Sequence, residues 1–237
     1  MISSAKSKGG DAPEILVFAP HPDDDVLGCG GAIAWHTGQG HRVTIVYLTS
    51  GESGSLETPK WELGVIREKE ARAAAALLGC AKTLFMGWPD GYLEMKPEYL
   101  QALTTIVREI KPQRAYLPHG AEKVHDHAVA HQLALEAVRR AGGPWFQECR
   151  GSSVGGPWAV REVFGYEVWA PMQAPSVFVD ITAFMDLKLT ALREHKSQLA
   201  CLPYEEAVMG LNRYRGIMGG NCKYCECFQV IKTGFEG

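Results

Sequence analysis

Short apolar runs alternate along this chain with longer stretches whose apolar positions recur at helical spacing. Ile15 to Ala19 (I-L-V-F-A) has the length and composition of a buried strand. It must end at Pro20 and Pro22, because proline donates nothing to a ladder and pushes the residue before it away from helix. Arg42 to Leu48, Thr83 to Met86 and Arg114 to Leu117 read as three more strands, with Glu162 to Trp169 and Ser176 to Asp180 further on. Between them lie predicted helices. One follows a turn through Gly28, Gly30 and Gly31 into Ala32-Ile33-Ala34-Trp35. Others run from Glu62 to Leu78, closed by Gly79, and from Glu98 to Ile110, stopped before Pro112. His127 to Ala141 and Phe184 to Leu199 complete the set. Strands alternating with helices at this spacing predict an α/β fold: a parallel sheet with helices on both faces. No boundary or repeat divides the chain, so a single domain is expected over 14–237, after a polar, disordered lead-in over 1–13. Gln147 to Ala159, rich in Gly, Ser, Pro and Trp, is either a lid or an irregular connection.

Composition narrows the function classes. The 237 residues are 46% apolar and 22% charged, and carry a net charge of -3. That balance gives no reason to expect nucleic acid or an anionic membrane as a partner. No apolar run approaches the length of a membrane span, so no membrane insertion is expected, and the lead-in lacks the apolar segment of a signal peptide. Seven scattered cysteines, an odd number, suit a reducing, cytoplasmic location better than a disulfide framework.

The chemistry gathers at two strand ends. His21, Asp23, Asp24 and Asp25 stand where the first strand stops. In open α/β sheets ligands sit in the crevice outside the carboxyl ends of the strands, so this cluster reads as a metal and acid–base site. Asp25 also suits a helix N-cap. The glycine-rich turn matches neither common phosphate-binding motif. Three successive carboxylates repel one another unless a cation or protons compensate. The second cluster, Glu122 to His131 (E-K-V-H-D-H-A-V-A-H), follows the fourth strand at the same edge. His127 and His131 are spaced to share a helix face, and His125 with His127 could chelate from a loop. Histidines and carboxylates gathered at one edge can hold a metal ion. Cys222, Cys225 and Cys227 lack the partner pair of a structural zinc site and read as small packed residues.

The run H-P-D-D-D-V-L-G-C-G-G, His21 to Gly31, closely resembles the H-P-D-D-E motif of the LmbE/PIG-L-like zinc N-deacetylases, with Asp25 where Glu is usual. The resemblance extends from about Ile15 to Phe228. It implies a Rossmann-like domain that removes acetyl from an N-acetylglucosamine-type sugar or its conjugate, giving acetate and a free amine. It implies Zn²⁺ held by His21, Asp24 and His127, the last as the final His of an H-x-D-H or N-x-D-H pattern. Asp23 resembles the general base. The pattern's first position, where a His or Asn helps stabilise the tetrahedral intermediate, falls here on Val124. His125 takes that role from one residue along, or the role is lost. L-T-S-G-E-S-G-S with Glu52, Arg67 in its R-x-x-E helix, Asp90 in W-P-D-G and His195 resemble substrate-facing segments. A small-molecule amino sugar is the expected partner, and a homo-oligomer the expected assembly. A hydrolase of another small amide, or a non-catalytic metal binder, are the alternatives.

Overall fold

Strand β1, Glu14–Ala19, is buried on both faces. Ile15, Val17 and Ala19 point into one core, Leu16 and Phe18 into the other. That period-two division of an almost wholly apolar run is what a central parallel strand requires. The computed structural model describes residues 12–149 and 156–233. Nearly all of the expected lead-in, and the centre of the expected 147–159 loop, lie outside them.

β1 pairs in parallel with β2 (Arg42–Thr49) on one side and β4 (Arg114–Pro118) on the other. β3 (Lys82–Trp88) adds parallel to β2, and β5 (Glu162–Tyr166) parallel to β4. β7 (Cys225–Lys232) then inserts antiparallel between β5 and β6 (Val177–Asp180). The seven-stranded order is β3-β2-β1-β4-β5-β7-β6. The sheet is therefore mostly, not wholly, parallel. The expected parallel sheet is present, and β7 adds one antiparallel strand in a segment where no strand was expected.

Helices cover both faces. α1 (Asp24–Gly38), α2 (Lys60–Leu77), α5 (Met185–Leu192) and α7 (Tyr204–Arg215) contribute to one core, α3 (Pro97–Ile110) and α4 (His125–Ala141) to the other. The single helix expected from Phe184 to Leu199 is divided. A 3-10 turn at Thr182–Phe184 precedes α5, and a short α6 (Lys196–Leu199) follows a break at His195, whose φ and ψ are -80° and 56°. Neither glycine nor proline marks that break. Among the described residues no helix is long and apolar enough to cross a membrane.

α1 departs from expectation in a way that matters for the site. It begins at Asp24 and takes in Gly28, Gly30 and Gly31, rather than following them. A Cβ on Gly28 would stand 2.3 Å from the Tyr166 ring, so only glycine lets α1 lie this close to the sheet. The helix kinks at Cys29, where φ is -145°. Two buried charges satisfy the backbone there. Lys188 Nζ donates to Leu27 O at 2.9 Å, to Asn212 Oδ1 at 3.0 Å and to Glu226 Oε1 at 2.7 Å. Glu226 in turn accepts from the Gly31 and Ala32 N–H groups, both at 2.8 Å. The pair thus fixes the helix that carries Asp24. Lys188→Met is expected to cost about 3–5 kcal/mol by leaving Glu226 buried and uncompensated. Urea unfolding measures this, and a loss below about 1 kcal/mol would count against the pair's structural weight.

Candidate metal centre

The strand order reverses between β1 and β4: the chain winds outward from β1 through β2 to β3, and from β4 through β5 on the other side. Such a switch point opens a crevice at the carboxyl ends of the strands. His21 to Asp25 leave β1 into that crevice, and His119 to His127 leave β4 into it.

Asp24 is the hinge of the cluster. Its Oδ2 lies 3.1 Å from His21 Nδ1 and 3.3 Å from His127 Nε2, and accepts the His21 backbone N–H at 2.9 Å. Ligand atoms of His21, Asp24 and His127 all lie within 4.8 Å of one another. Burial alone would raise the Asp24 carboxyl, but the His127 and His21 rings hold it well below the usual carboxylate range. The converse applies to His21. Burial works against its protonation, yet hydrogen bonds to Asp126, Asp24 and Asp90 raise it well above the ordinary imidazole value. Its Nε2 stands 3.0 Å from Asp90 Oδ1 and 3.2 Å from Asp126 Oδ2.

His127 is fully buried, and neither of its ring nitrogens makes a hydrogen bond among the described residues. Glu122 Oε2 approaches Nδ1 only to 3.8 Å. A buried imidazole without a well-formed hydrogen bond is costly, and a metal ion on Nε2, beside the Asp24 oxygen, would remove that cost. Two imidazoles and a carboxylate form the donor set of a catalytic zinc site, so the residues present fit such an ion. Glu122 stands behind His127 as an orienting carboxylate would. It is itself pinned by the Val168, Trp169 and Ala170 N–H groups, at 2.8, 3.1 and 3.3 Å.

Asp23 points elsewhere. Its φ of 136° lies where L-residues rarely sit, a strain of about 1–3 kcal/mol that the surroundings must hold. Its carbonyl accepts the Val26 and Leu27 N–H groups at 3.0 and 2.9 Å, opening α1. The buried Arg67 guanidinium, from α2, donates to Asp23 Oδ2 at 3.1 Å, to Pro22 O at 2.8 Å and to Gly51 O at 2.9 Å. Burial lifts the Asp23 carboxyl to about 7 against the pull of Arg67. Gly51 has a φ of 65°, and a Cβ on it would meet Arg67 Cζ at 2.4 Å, which accounts for a glycine in the L-T-S-G-E stretch.

The other expected residues divide. Asp90 Oδ2 accepts the Ser53 N–H at 2.7 Å, while Glu52 Oε1 accepts the Asp90 N–H at 2.8 Å. Among the described residues Glu52 Oε2 is buried and unbonded. His195 is buried with both ring nitrogens likewise unbonded among them, and burial followed by the Arg67 charge lowers it to about 3. Asp25 does not cap α1: Asp23 is the N-cap, and Asp25 lies inside the helix, accepting the Tyr47 hydroxyl at 3.0 Å. His131 Nδ1 pairs with Pro118 O at 2.8 Å, away from the cluster. Cys225 and Cys227 pack with Met172, Phe178 and Cys222, and no metal-ligating group forms there among the described residues.

His125 is exposed at the start of α4, its Nε2 2.8 Å from Leu93 O. The structure does not bring it to the cluster. His125→Ala is therefore expected to change turnover by no more than about threefold, as for an exposed side chain bonded elsewhere. A large fall in kcat at constant KM would restore it to the site. Two groups went unassigned at sequence level. Asp126 meets His21 and is oriented by the Gly91 and Leu93 N–H groups at 2.6 and 3.2 Å, and Glu122 stands behind His127. Their signal was the pair of carboxylates flanking three histidines.

Residues 16–138 match the family described as PIG-L: GlcNAc-PI de-N-acetylase. A diacetylchitobiose deacetylase of Thermococcus kodakarensis is 33% identical over 231 residues, covering 93% of this chain and 84% of its own. The structure of N,N'-diacetylchitobiose deacetylase from Pyrococcus horikoshii, complexed with its inhibitor MPG, aligns with a TM-score of 0.83 at 30% identity, over 93% of this chain and 84% of that one. GalB, the 4-carboxy-2-hydroxymuconate hydratase of Pseudomonas putida KT2440, aligns with a TM-score of 0.77 at 27% identity, over 95% and 98%.

Proposed function

The chain belongs to the PIG-L family of de-N-acetylases, and from that premise we propose that it hydrolyses the acetamide of an N-acetylglucosamine-type amino sugar or its conjugate. Acetate and the free amine are the products. The observation that carries this reading is His127: fully buried, without a hydrogen bond on either ring nitrogen, and 3.3 Å from Asp24.

His21, Asp24 and His127 hold the metal, which we take to be zinc from the donor set. When bound, it supplies a Lewis acid for the acetamide carbonyl and for the attacking water. Asp23 takes the proton from that water and returns it to the departing amine. Arg67 acts on the base: its three bonds run to Pro22, Asp23 and Gly51, leaving only Nε unbonded, so we assign it first to holding Asp23. Glu52 and His195 offer unbonded buried polar atoms, and with Asp90 we assign them to the sugar. The seven free cysteines support a cytoplasmic location. Exposed Trp61 and Val65, one turn apart on α2, support a homo-oligomer.

The likeness to a hydratase favours one second reading, in which the same centre directs water at a substrate that is not an amide. A screen of N-acetylated sugars with the zinc-loaded protein, read as acetate and free amine, separates the two. Acetate release is expected, lost on chelation and restored by zinc. Metal-loaded protein that releases no acetate from any of them would favour the second reading.

A further inference from the structure

Beside the metal centre, at the same edge of the sheet, a cavity of about 350 Å³ lies between the chain that follows β5 and helix α7. Leu27, Val168, Trp169, Leu202, Tyr204 and Val208 form its apolar walls. Two connections tie it to the site. Leu27 sits one helical turn beyond Asp23 and Asp24, its N–H on the Asp23 carbonyl at 2.9 Å. Val168 and Trp169 donate their N–H groups, at 2.8 and 3.1 Å, to Glu122, the carboxylate behind His127. The charges of the site reach the cavity too: burial, then Asp23 and Asp24, raise the Tyr204 phenol to about 12.

The two most strongly polar side chains in the lining, Glu167 and Asn212, are already committed. Glu167 accepts from Arg215 at 3.0 and 2.8 Å and from the Met172 N–H at 2.7 Å. Asn212 accepts from Lys188 at 3.0 Å and donates to Cys225 O at 3.0 Å. A second sugar ring placed here would find only the Tyr204 hydroxyl and the Trp169 indole N–H for its several hydroxyls, whereas an alkyl or aryl group would lose nothing and leave water. The volume is at the small end of the range for ligand sites, about 300–1,000 Å³.

We propose that this cavity receives an apolar aglycone, an alkyl or aryl group on the anomeric carbon of the amino sugar, while the acetamide is presented to the metal centre. This rests on the deacetylase reading and names the class of conjugate it acts on. The contact between Trp169 and Tyr204, edge to face at 6.0 Å between ring centroids, gives the cavity an aromatic wall suited to such a group.

Calorimetric titration of the zinc-loaded protein with the methyl and n-hexyl glycosides of N-acetylglucosamine tests the proposal. The hexyl glycoside is expected to bind at least about tenfold more tightly, since its added methylenes leave water. Leu202→Glu combined with Ala207→Glu places charge at two exposed positions of the wall and is expected to bring that ratio below about threefold. Equal affinities, a preference that survives both substitutions, or no binding of either glycoside overturns the proposal. Acetate release from the same two glycosides is scored separately. A hexyl preference without acetate overturns the deacetylase reading, and acetate without a preference overturns the aglycone assignment alone.

Discussion

Asp23→Asn is expected to keep its fold and its metal and to lose at least about a hundredfold in turnover, the lower end of what removing a general base costs. The case rests on how neighbouring carboxylates are divided. Asp24 directs one oxygen at both His21 and His127. Asp23 turns away from them through its φ of 136° and is bonded by Arg67 instead. A carboxylate so placed lies beside the cluster without serving as one of its ligands. Asparagine tolerates positive φ better than most residues, so the substitution adds little backbone strain. It also keeps an oxygen for the Arg67 Nη2. What it removes is the ability to accept a proton from water. Circular dichroism and metal content should therefore match the parent protein while acetate release collapses. A variant nearly as active as its parent, or one stripped of metal, would reverse the assignment.

The magnitude separates this role from a supporting one. Loss of a group that only orients a ligand typically costs about 10–100-fold. Arg67, which holds Asp23 by one of its bonds, belongs in that class, and its removal should fall short of the Asp23→Asn effect. A pattern in which Arg67 mattered more than Asp23 would point to Arg67 meeting the substrate directly.

Much of the fold can be read from the chain because local signals agree there. A short continuous apolar run closed by two prolines admits little besides a buried strand ending at Ala19. Helices with a wide apolar face, such as α3, announce themselves in the same way. The rest depends on contacts between residues far apart in sequence. Lys188 sits in the run D-L-K-L-T, where a lysine ordinarily signals solvent, yet it is fully buried because Glu226, 38 residues on, meets it. α7 buries only Val208, Asn212 and Arg215, so it presents no apolar stripe to read. The division of α5 from α6 at His195 follows from that ring's burial, which no neighbouring glycine or proline foretells.

The site divides along the same line. His21, Asp24 and His127 can be picked out because a motif names them and the topology of β1 and β4 joins them. The position of His125 cannot. Helix α4 begins at His125, so the ring leaves the first turn toward Leu93, while His127, two residues on, turns inward. Two residues along a helix are about 200° apart, so one of the pair faces the crevice and the other leaves it. Val124 is half-exposed and His125 is bonded away, while Asp90 and Asp126 stand against the His21 ring.

Asp24→Asn is expected to remove the metal: affinity should fall by at least about a hundredfold, and activity with it, because this substitution strikes one of the proposed ligands rather than its support. The geometry makes Asp24 the most exacting of the three. One oxygen, Oδ2, lies within reach of both histidines and also accepts the His21 backbone N–H. Asparagine can keep that backbone bond, so the strand end need not collapse. It cannot keep the charge. The two rings favour the ionised form of Asp24 despite its complete burial. A neutral amide between them would leave the ion two imidazoles and a weak amide oxygen in place of the third protein ligand that a catalytic zinc site needs. The variant should dialyse to metal-free protein under conditions where Asp23→Asn and His125→Ala stay loaded, with metal measured per chain by atomic emission. Full metal retention in Asp24→Asn would move the centre to His21, Asp90 and Asp126, the second group whose ligand atoms lie within 4.8 Å of one another.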